Sequence, residues 1–536
     1  MAKSFDFVIV GGGSAACVAA MRLVRDYDMR VLILERGPAD TNAIMEMPAG
    51  YMKYLARDTF LEMHHTVAHD SLGGRSPIVP VASALGGGSA VNAMVYMRGQ
   101  RQDYDGWAQT IGESHEWSYA DMLPHFTRIE ANSTFNDAYH GVDGPLKVSY
   151  PGYVVDTTEK FLLAAQGLGH PFNPDFNGAE QTGVGVMQHT YGQWGRYRRR
   201  SSGKRAFLDP LSKDSRLTII ANARVDRIIV EGGKAVGVQY IHGGVVQTVH
   251  CEREVLAAAG TYNTAKLLML SGIGPADHLR THGVNVLADL PVGQNLQDHH
   301  EVPVIMTSKS KSGYFGEDRG WPMVRNGLQY LLFNSGPVTT TGIEACLFYD
   351  PDGGERPTIQ LYCAPIVYLD RDVSDAKPTW GVTLTSCLLR PKARGSVTLR
   401  SANPADKPVV DSNFFGQSDD LRLTIASLFH ARRLLAEKPM GAMVDKELMP
   451  GANVTQESAL ATYCARTVKT NYHPVGTARM GTNGDPEAVV DTRLRVRGVD
   501  GLRVIDCSIM PSIVSGNTNA PAMAIGSKAA DLIMGV

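Results

Sequence analysis

The chain has no uninterrupted apolar stretch of membrane-spanning length, so no transmembrane helix is expected. It also has almost no net charge. Its 52 basic residues against 54 acidic ones leave −2 at neutral pH, too weak a field to gather nucleic acid. Seven cysteines (Cys17, Cys251, Cys346, Cys363, Cys387, Cys464, Cys507) are scattered, odd in number and never spaced C-x-x-C. That argues against a disulfide framework or a structural zinc site and points to a reducing compartment. No internal repeat, long low-complexity tract or G-x-S-x-G elbow occurs, and the last absence removes the obvious hydrolase reading. The first strand pattern starts by about Phe5, leaving no room for a signal peptide; a cytoplasmic protein is expected, with peripheral membrane attachment still compatible.

What is present is length and glycine at telling places. A chain of 536 residues exceeds what one compact core usually holds, so two or more lobes are expected. Residues 5–37 read FDFVIVGGGSAACVAAMRLVRDYDMRVLILERG. Asp6 to Val10 suit a buried strand, Gly11 to Ser14 a turn, Ala15 to Val24 a helix and Val31 to Leu34 a second strand. The pattern is G-x-G-x-x-A, with Gly11 for the tight turn, Gly13 for close approach of a pyrophosphate and Ala16 for helix packing. Unpaired N–H groups at the helix start would face the phosphates. Glu35 lies 22 residues beyond Gly13, where an acceptor for ribose hydroxyls belongs. A glycine-rich structural turn is the competing reading, and the motif does not separate NAD from FAD.

Farther on stand ASALGGGSAVNAMVYMRGQRQDYDGW (82–107), GTYNTAKLLMLSGIGP (260–275), LPVGQNLQDHH (290–300), NYHPVGTARMG (471–481) and LRVIDCSIMPSIVSGNTNAPAMAIGSKAADLI (502–533). In this order and spacing they resemble the glucose-methanol-choline (GMC) family of FAD-dependent oxidoreductases, over effectively the whole chain. The resemblance is greatest to the bacterial branch of choline dehydrogenase-like and alcohol dehydrogenases and oxidases. Departures are Ala16 for the third glycine, Ser83 for a basic residue before the glycine nest, and Ala265 for a proline. Some relatives carry a flavin-linking histidine just before the nest asparagine; here Val91 stands there, so noncovalent FAD is expected.

The resemblance implies an α/β fold, α+β overall: a Rossmann-like FAD-binding lobe from residues 1–150, 200–310 and 465–536, and a substrate-binding lobe on an antiparallel sheet from 151–199 and 311–464. It carries cofactor contacts onto Gly11, Gly13, Ser14, Ala15, Glu35, Gly87, Ser89, Asn92, Val225 (backbone beside adenine) and Asp506. The catalytic histidine maps onto His473 and its partner onto Asn517. Histidine suits removal of an alcohol proton because its reference pKa, about 6.5, lies near working pH. The implied reaction takes a primary alcohol to the aldehyde, with electrons passed to O2 or a quinone-like acceptor. An FAD-containing hydroxynitrile lyase without net redox chemistry is the alternative. Tyr472 is a candidate for lining the substrate cavity or simply for packing.

Three further readings complete the sequence view. Alternation over 218–240 suggests strands and a hairpin, and 379–401 reads as two paired strands turning at 391–395. The basic run GRYRRRSSGKRA (195–206) is read as a solvated or pyrophosphate-side loop without a chemical role. The pairs His64/His65 and His299/His300 invite a metal reading, but strand neighbours point to opposite faces and no acidic ligand set accompanies them, so no metal is assigned.

Overall fold

The computed structural model describes residues 4–40, 42–55, 59–112, 116–368 and 377–536. The elements that matter here begin with β1 (Phe7–Val10), α1 (Ser14–Arg25), β2 (Val31–Leu34), β3 (Gly183–Val186), β4 (Tyr191–Trp194) and β5 (Tyr197–Arg200). They continue with β6 (Leu217–Ile220), β7 (Ala223–Glu231), β8 (Lys234–His242), β9 (Glu254–Ala257), α2 (Thr261–Leu270), β10 (His300–Ser308) and α3 (Gly320–Phe333). The last are β11 (Ala345–Tyr349), β12 (Ile359–Ala364), β13 (Gly381–Leu388), α4 (Ser418–Ala436), β14 (Val444–Met449), β15 (Leu502–Val504) and α5 (Asn519–Met534).

Two sheets organise the molecule. The first is parallel, in the order β6-β2-β1-β9-β15. Strands β1 and β2 are buried along their whole length, which is why both read as continuous apolar runs rather than alternating ones. Helix α1 is so rich in small residues that only Arg25 escapes burial, and it lies against α5. The second sheet is antiparallel, in the order β14-β10-β13-β12-β11-β3, with Lys469 and Thr470 adding two further pairs to β10. Helix α4 covers it through Leu423, Leu428, Ala431, Leu434 and Leu435. Each sheet has its own apolar core. Strand β10 starts at His300, inside the stretch that the resemblance gives to the first lobe.

The strands and hairpin expected over 218–240 are present, since β6 precedes the antiparallel pair β7 and β8. The hairpin expected over 379–401 is absent. Strand β13 pairs with β10 and β12, whereas Ser396–Thr398 pairs with Val409–Asp411. Both segments have strand chemistry, but each finds its partner elsewhere in the chain. The basic run is not a solvated loop either: it enters through the hairpin β4–β5, and Arg200 is buried.

Candidate active site

A cavity of about 1120 Å³ lies between the two sheets, larger than a pocket for one small molecule. Its lining joins Gly11, Gly13, Ser14, Ala15, Glu35, Gly87, Asn92, Val225 and Asp506 to Tyr472, His473 and Asn517. Of the cofactor, catalytic and cavity residues that the resemblance named, Ser89 alone does not reach it. Its hydroxyl is buried, donates to the Gly86 carbonyl at 2.5 Å and accepts from the Gly203 N–H at 2.7 Å, tying the glycine nest to a distant turn.

The cofactor half is built from close backbone contacts. Gly11 has φ +96°, and a Cβ there would stand 2.5 Å from the Ala258 carbonyl oxygen. Gly87 has φ +54°, and its Cβ would come 2.7 Å from Gly13 Cα, so the nest and the fingerprint turn touch where only glycine fits. The starts of α1 and α5 meet beside them, with Ser14 Oγ donating to Asn519 Oδ1 at 2.8 Å. Asn519 Nδ2 is buried without a partner among the described residues, as are the hydroxyls of Tyr51 and Tyr262, and all three residues line the cavity. Two helix N-termini and an unsatisfied amide donor suit a pyrophosphate. Glu35 accepts from the N–H of Gly12 and of Gly37, each at 2.7 Å, and burial raises its carboxyl pKa. Asp506 accepts from Gly260 N–H at 2.8 Å and Thr264 Oγ1 at 2.6 Å, so it fixes the start of α2 at the cavity wall. These residues fit FAD: the two helix starts would hold the pyrophosphate, Glu35 the ribose and Val225 the adenine side.

Sequence reasoning missed Arg200. Its Nη1 donates to the Ser89 carbonyl at 3.1 Å and to Asn92 Oδ1 at 2.8 Å, and its Nε to the Met45 carbonyl at 3.1 Å. With no salt bridge among the described residues, burial lowers its pKa to about 10. A cation thus holds the nest asparagine in place. The signal was the basic run itself, in which Arg200 ends β5 and is buried.

The half of the cavity that holds His473 and Tyr472 hangs on the loop 470–475, fastened to 297–299. Asn471 N–H donates to the His299 carbonyl at 2.8 Å, and Val475 N–H to the Gln297 carbonyl at 2.8 Å. Asp298 accepts from His473 N–H at 2.9 Å and from Thr470 Oγ1 at 2.5 Å, and burial pushes its carboxyl up to about 7. Tyr472 takes φ +64°, a conformation rare outside glycine, which turns its neighbour His473 into the cavity.

His473 meets two side chains. Its Nδ1 lies 2.9 Å from Nδ1 of His299, and its Nε2 lies 3.3 Å from Nδ2 of Asn517. The tautomers follow by elimination. His299 Nε2 faces the Leu389 carbonyl at 2.9 Å, and a carbonyl can only accept, so that nitrogen carries the proton. Neutral His299 then has a lone pair on Nδ1, His473 must donate to it from Nδ1, and His473 Nε2 is left as a lone pair. Burial, helped by His299, lowers the His473 pKa well below the ordinary value, and burial lowers His299 to about 4. Both rings are therefore neutral near pH 7. The result is a free base at Nε2 beside an amide donor, while Asn517 Oδ1 accepts from Tyr362 at 3.2 Å. His299 was visible in the sequence only as half of a histidine pair weighed for metal binding.

One more group stands nearby. Lys469 and Glu301 form a buried salt bridge, and the Lys469 ammonium lies 5.5 Å from the ring centre of Tyr368 and 5.4 Å from that of Tyr472. All four residues line the cavity.

A family profile described as GMC oxidoreductase matches residues 5–301, and a second with the same description matches residues 391–526. An oxygen-dependent choline dehydrogenase of Brucella canis is 38% identical over 99% of this chain and 95% of its own. An alcohol dehydrogenase [acceptor] of Pseudomonas putida is 38% identical over 99% of this chain and 96% of its own. Among solved structures, pyridoxine 4-oxidase from Mesorbium loti superposes with a TM-score of 0.88 at 28% identity, covering 98% of both chains.

Proposed function

Since the chain belongs to the GMC oxidoreductase family, we propose that it oxidises a primary alcohol to the aldehyde with His473 as the base. FAD, the family's cofactor, supplies the two-electron acceptor for the hydride leaving the carbinol carbon. The protein's own part is to hold the alcohol oxygen between His473 Nε2 and Asn517 Nδ2. His473 takes the hydroxyl proton at Nε2, and Asn517 donates to the oxygen as charge develops on it. The observation that carries this reading is the hydrogen-bond series Leu389 carbonyl, His299, His473, which leaves the lone pair facing the cavity. Val91, in the cavity wall, has no nucleophile to bond the flavin, so FAD is held noncovalently.

The substrate is an uncharged alcohol rather than choline. A quaternary ammonium is recognised by aromatic faces and an acid, and here Tyr368, Tyr472 and Glu301 already surround the Lys469 ammonium. A second cation would meet like charge there. The electron acceptor is O2 or a quinone-like molecule, in keeping with relatives named for oxygen and for an acceptor.

The test is the visible spectrum of the purified flavoprotein during anaerobic addition of primary alcohols. Bleaching of the flavin band by neutral alcohols supports the reading, and the speed of colour return in air then separates the two acceptors. A flavin left oxidised by a broad alcohol panel removes it.

A further inference from the structure

Helix α3 is amphipathic in the wrong sense for a helix of a water-facing protein. Its buried positions are Asn326 and Tyr330, four residues apart, and both are polar-tipped. The opposite face carries Trp321, Val324, Leu328, Leu331 and Leu332, with Arg325 at its edge and Phe333 at the helix end, all exposed. Trp321 and Phe333 keep 71% and 73% of their surface, where a monomer in water normally scatters such side chains singly. A contiguous apolar face of this kind marks an interaction surface.

Cations flank it at both ends. At the C-terminal end the hairpin β4–β5 packs on the helix: Tyr197 and Tyr330 stack at 5.5 Å, Tyr330 donates to the Arg198 carbonyl at 2.8 Å, and Arg196 donates to the Leu332 carbonyl at 3.3 Å. Arg196 and Arg199 make no salt bridge among the described residues. At the N-terminal end Lys311 lies 5.3 Å from the Trp380 ring, and Arg319 lies 5.1 Å from the Phe315 ring that packs on Trp380. Among the described residues, Glu317 and Asp318 are paired at this end, with Arg325 and Arg319 respectively. Among the described residues, Arg196, Arg199 and Lys311 remain as cations beside the apolar face without a salt bridge.

We propose that α3 and the β4–β5 hairpin dock the protein on an anionic phospholipid bilayer, with the outer face of α3 immersed in the interface and Arg196, Arg199 and Lys311 on the headgroups. Apolar burial and basic attraction are the two signals that reversible interfacial binding needs, and tryptophan suits that depth. No helix among the described residues is long and apolar enough to cross a membrane, so attachment is in the plane of the surface. The charge pattern selects a bilayer over a second copy of the chain, which would bring these cations against one another. Position adds a purpose: Arg319, Met323 and Gly327 of this segment also line the cavity, and Arg319 is exposed, so the cavity reaches the surface beside the docked face. Lipid-soluble reactants could then enter from the bilayer, although docking itself does not depend on the reaction assigned above.

The experiment is co-sedimentation of the flavin-loaded full chain with vesicles of phosphatidylglycerol and phosphatidylcholine in equal parts, and with phosphatidylcholine alone. Binding is expected to the mixed vesicles and to weaken with salt. Trp321→Ser/Leu332→Ser/Phe333→Ser should lower partitioning by at least about 100-fold. Arg196→Gln/Arg199→Gln should lower it by about 30-fold on the mixed vesicles only. Unchanged flavin content and melting temperature show that these surface variants are folded, and the wild-type measurement needs no variant. Failure of the wild type to bind mixed vesicles at low salt overturns the proposal, as does equal binding by the triple variant. A concentration-dependent dimer that the triple variant abolishes, without vesicle binding, would assign the face to a second copy instead.

Discussion

Replacing His299 with leucine tests the tautomer argument directly. The ring of His299 touches neither the Asn517 amide nor the free Nε2 of His473; it acts by accepting from His473 Nδ1 at 2.9 Å. Without that acceptor the Nδ1 proton of a fully buried ring has no partner, at a cost of about 1–3 kcal/mol. The neutral imidazole escapes this by moving its proton to Nε2, where it can no longer act as the base. Penalising the productive tautomer by that amount lowers turnover roughly 5- to 150-fold. His299→Gln supplies an amide oxygen at a similar place and should recover part of the loss. A second effect concerns pH. The depressed pKa of His473 keeps it a free base down to acidic pH, so activity is lost only as pH falls through that low value. His299 contributes to the depression, so its removal should move the acid limb to higher pH. The assay is the rate of anaerobic flavin bleaching at saturating alcohol across pH, on preparations matched for bound flavin. A leucine variant with wild-type rate and wild-type acid limb, or a glutamine variant no better than leucine, would refute the reasoning.

Other outcomes follow from the same site. His473→Ala should lower turnover on the order of 100-fold or more with flavin still bound, measured by the same bleaching assay. Acid precipitation should leave the flavin in the supernatant, because Val91 offers no bond to it. Lys469→Met should raise kcat/KM for choline relative to a neutral alcohol by at least about tenfold, since the acid and aromatic faces around the ammonium are then free. Urea midpoints should fall as pH drops below about 6.5, because His189 and His299 (each about 4), His300 (about 3) and His473 are held neutral by burial while the unfolded chain takes up protons there. Asp298, raised to about 7, opposes them with one proton. Each such histidine that is not offset by a raised acid contributes at most about 1.4 kcal/mol per pH unit over that range.

The cofactor half was legible because its requirements are local. A tight turn, a close backbone approach and a small helix residue fall within a few positions of one another, and β1, α1 and β2 stand where their periodicity puts them. The resemblance named His473 and Asn517, and the geometry brings them within 3.3 Å of one another and orients the His473 ring. His299 was hidden because its contact spans 174 residues and depends on which side of the chain faces inward, and the Lys469–Glu301 pair is set by the register of two strands. The failed hairpin at 379–401 has the same origin: strand chemistry names a strand, whereas its partner is chosen by the sheet.

The parallel sheet has a consequence for how this protein comes into being. Phe7 of β1 pairs with Glu254 of β9, and the next strand outward, β15, begins at Leu502. At roughly 5 to 20 residues per second on a ribosome, β1 waits about 12 to 50 s for β9. The sheet then stays open at one edge until Leu502 to Val504 have been made. Throughout that interval a fully apolar strand and the Ala-rich α1 have only part of their cover, which makes the nascent chain a client for chaperones and a hazard for edge-to-edge association. Because the start of α1 meets the start of α5 through Ser14 and Asn519, and the loop bearing His473 follows residue 469, the cavity is complete only once α5 has been made. Flavin supply during expression should therefore act on that late step, as a ligand that rescues folding rather than a template that starts it.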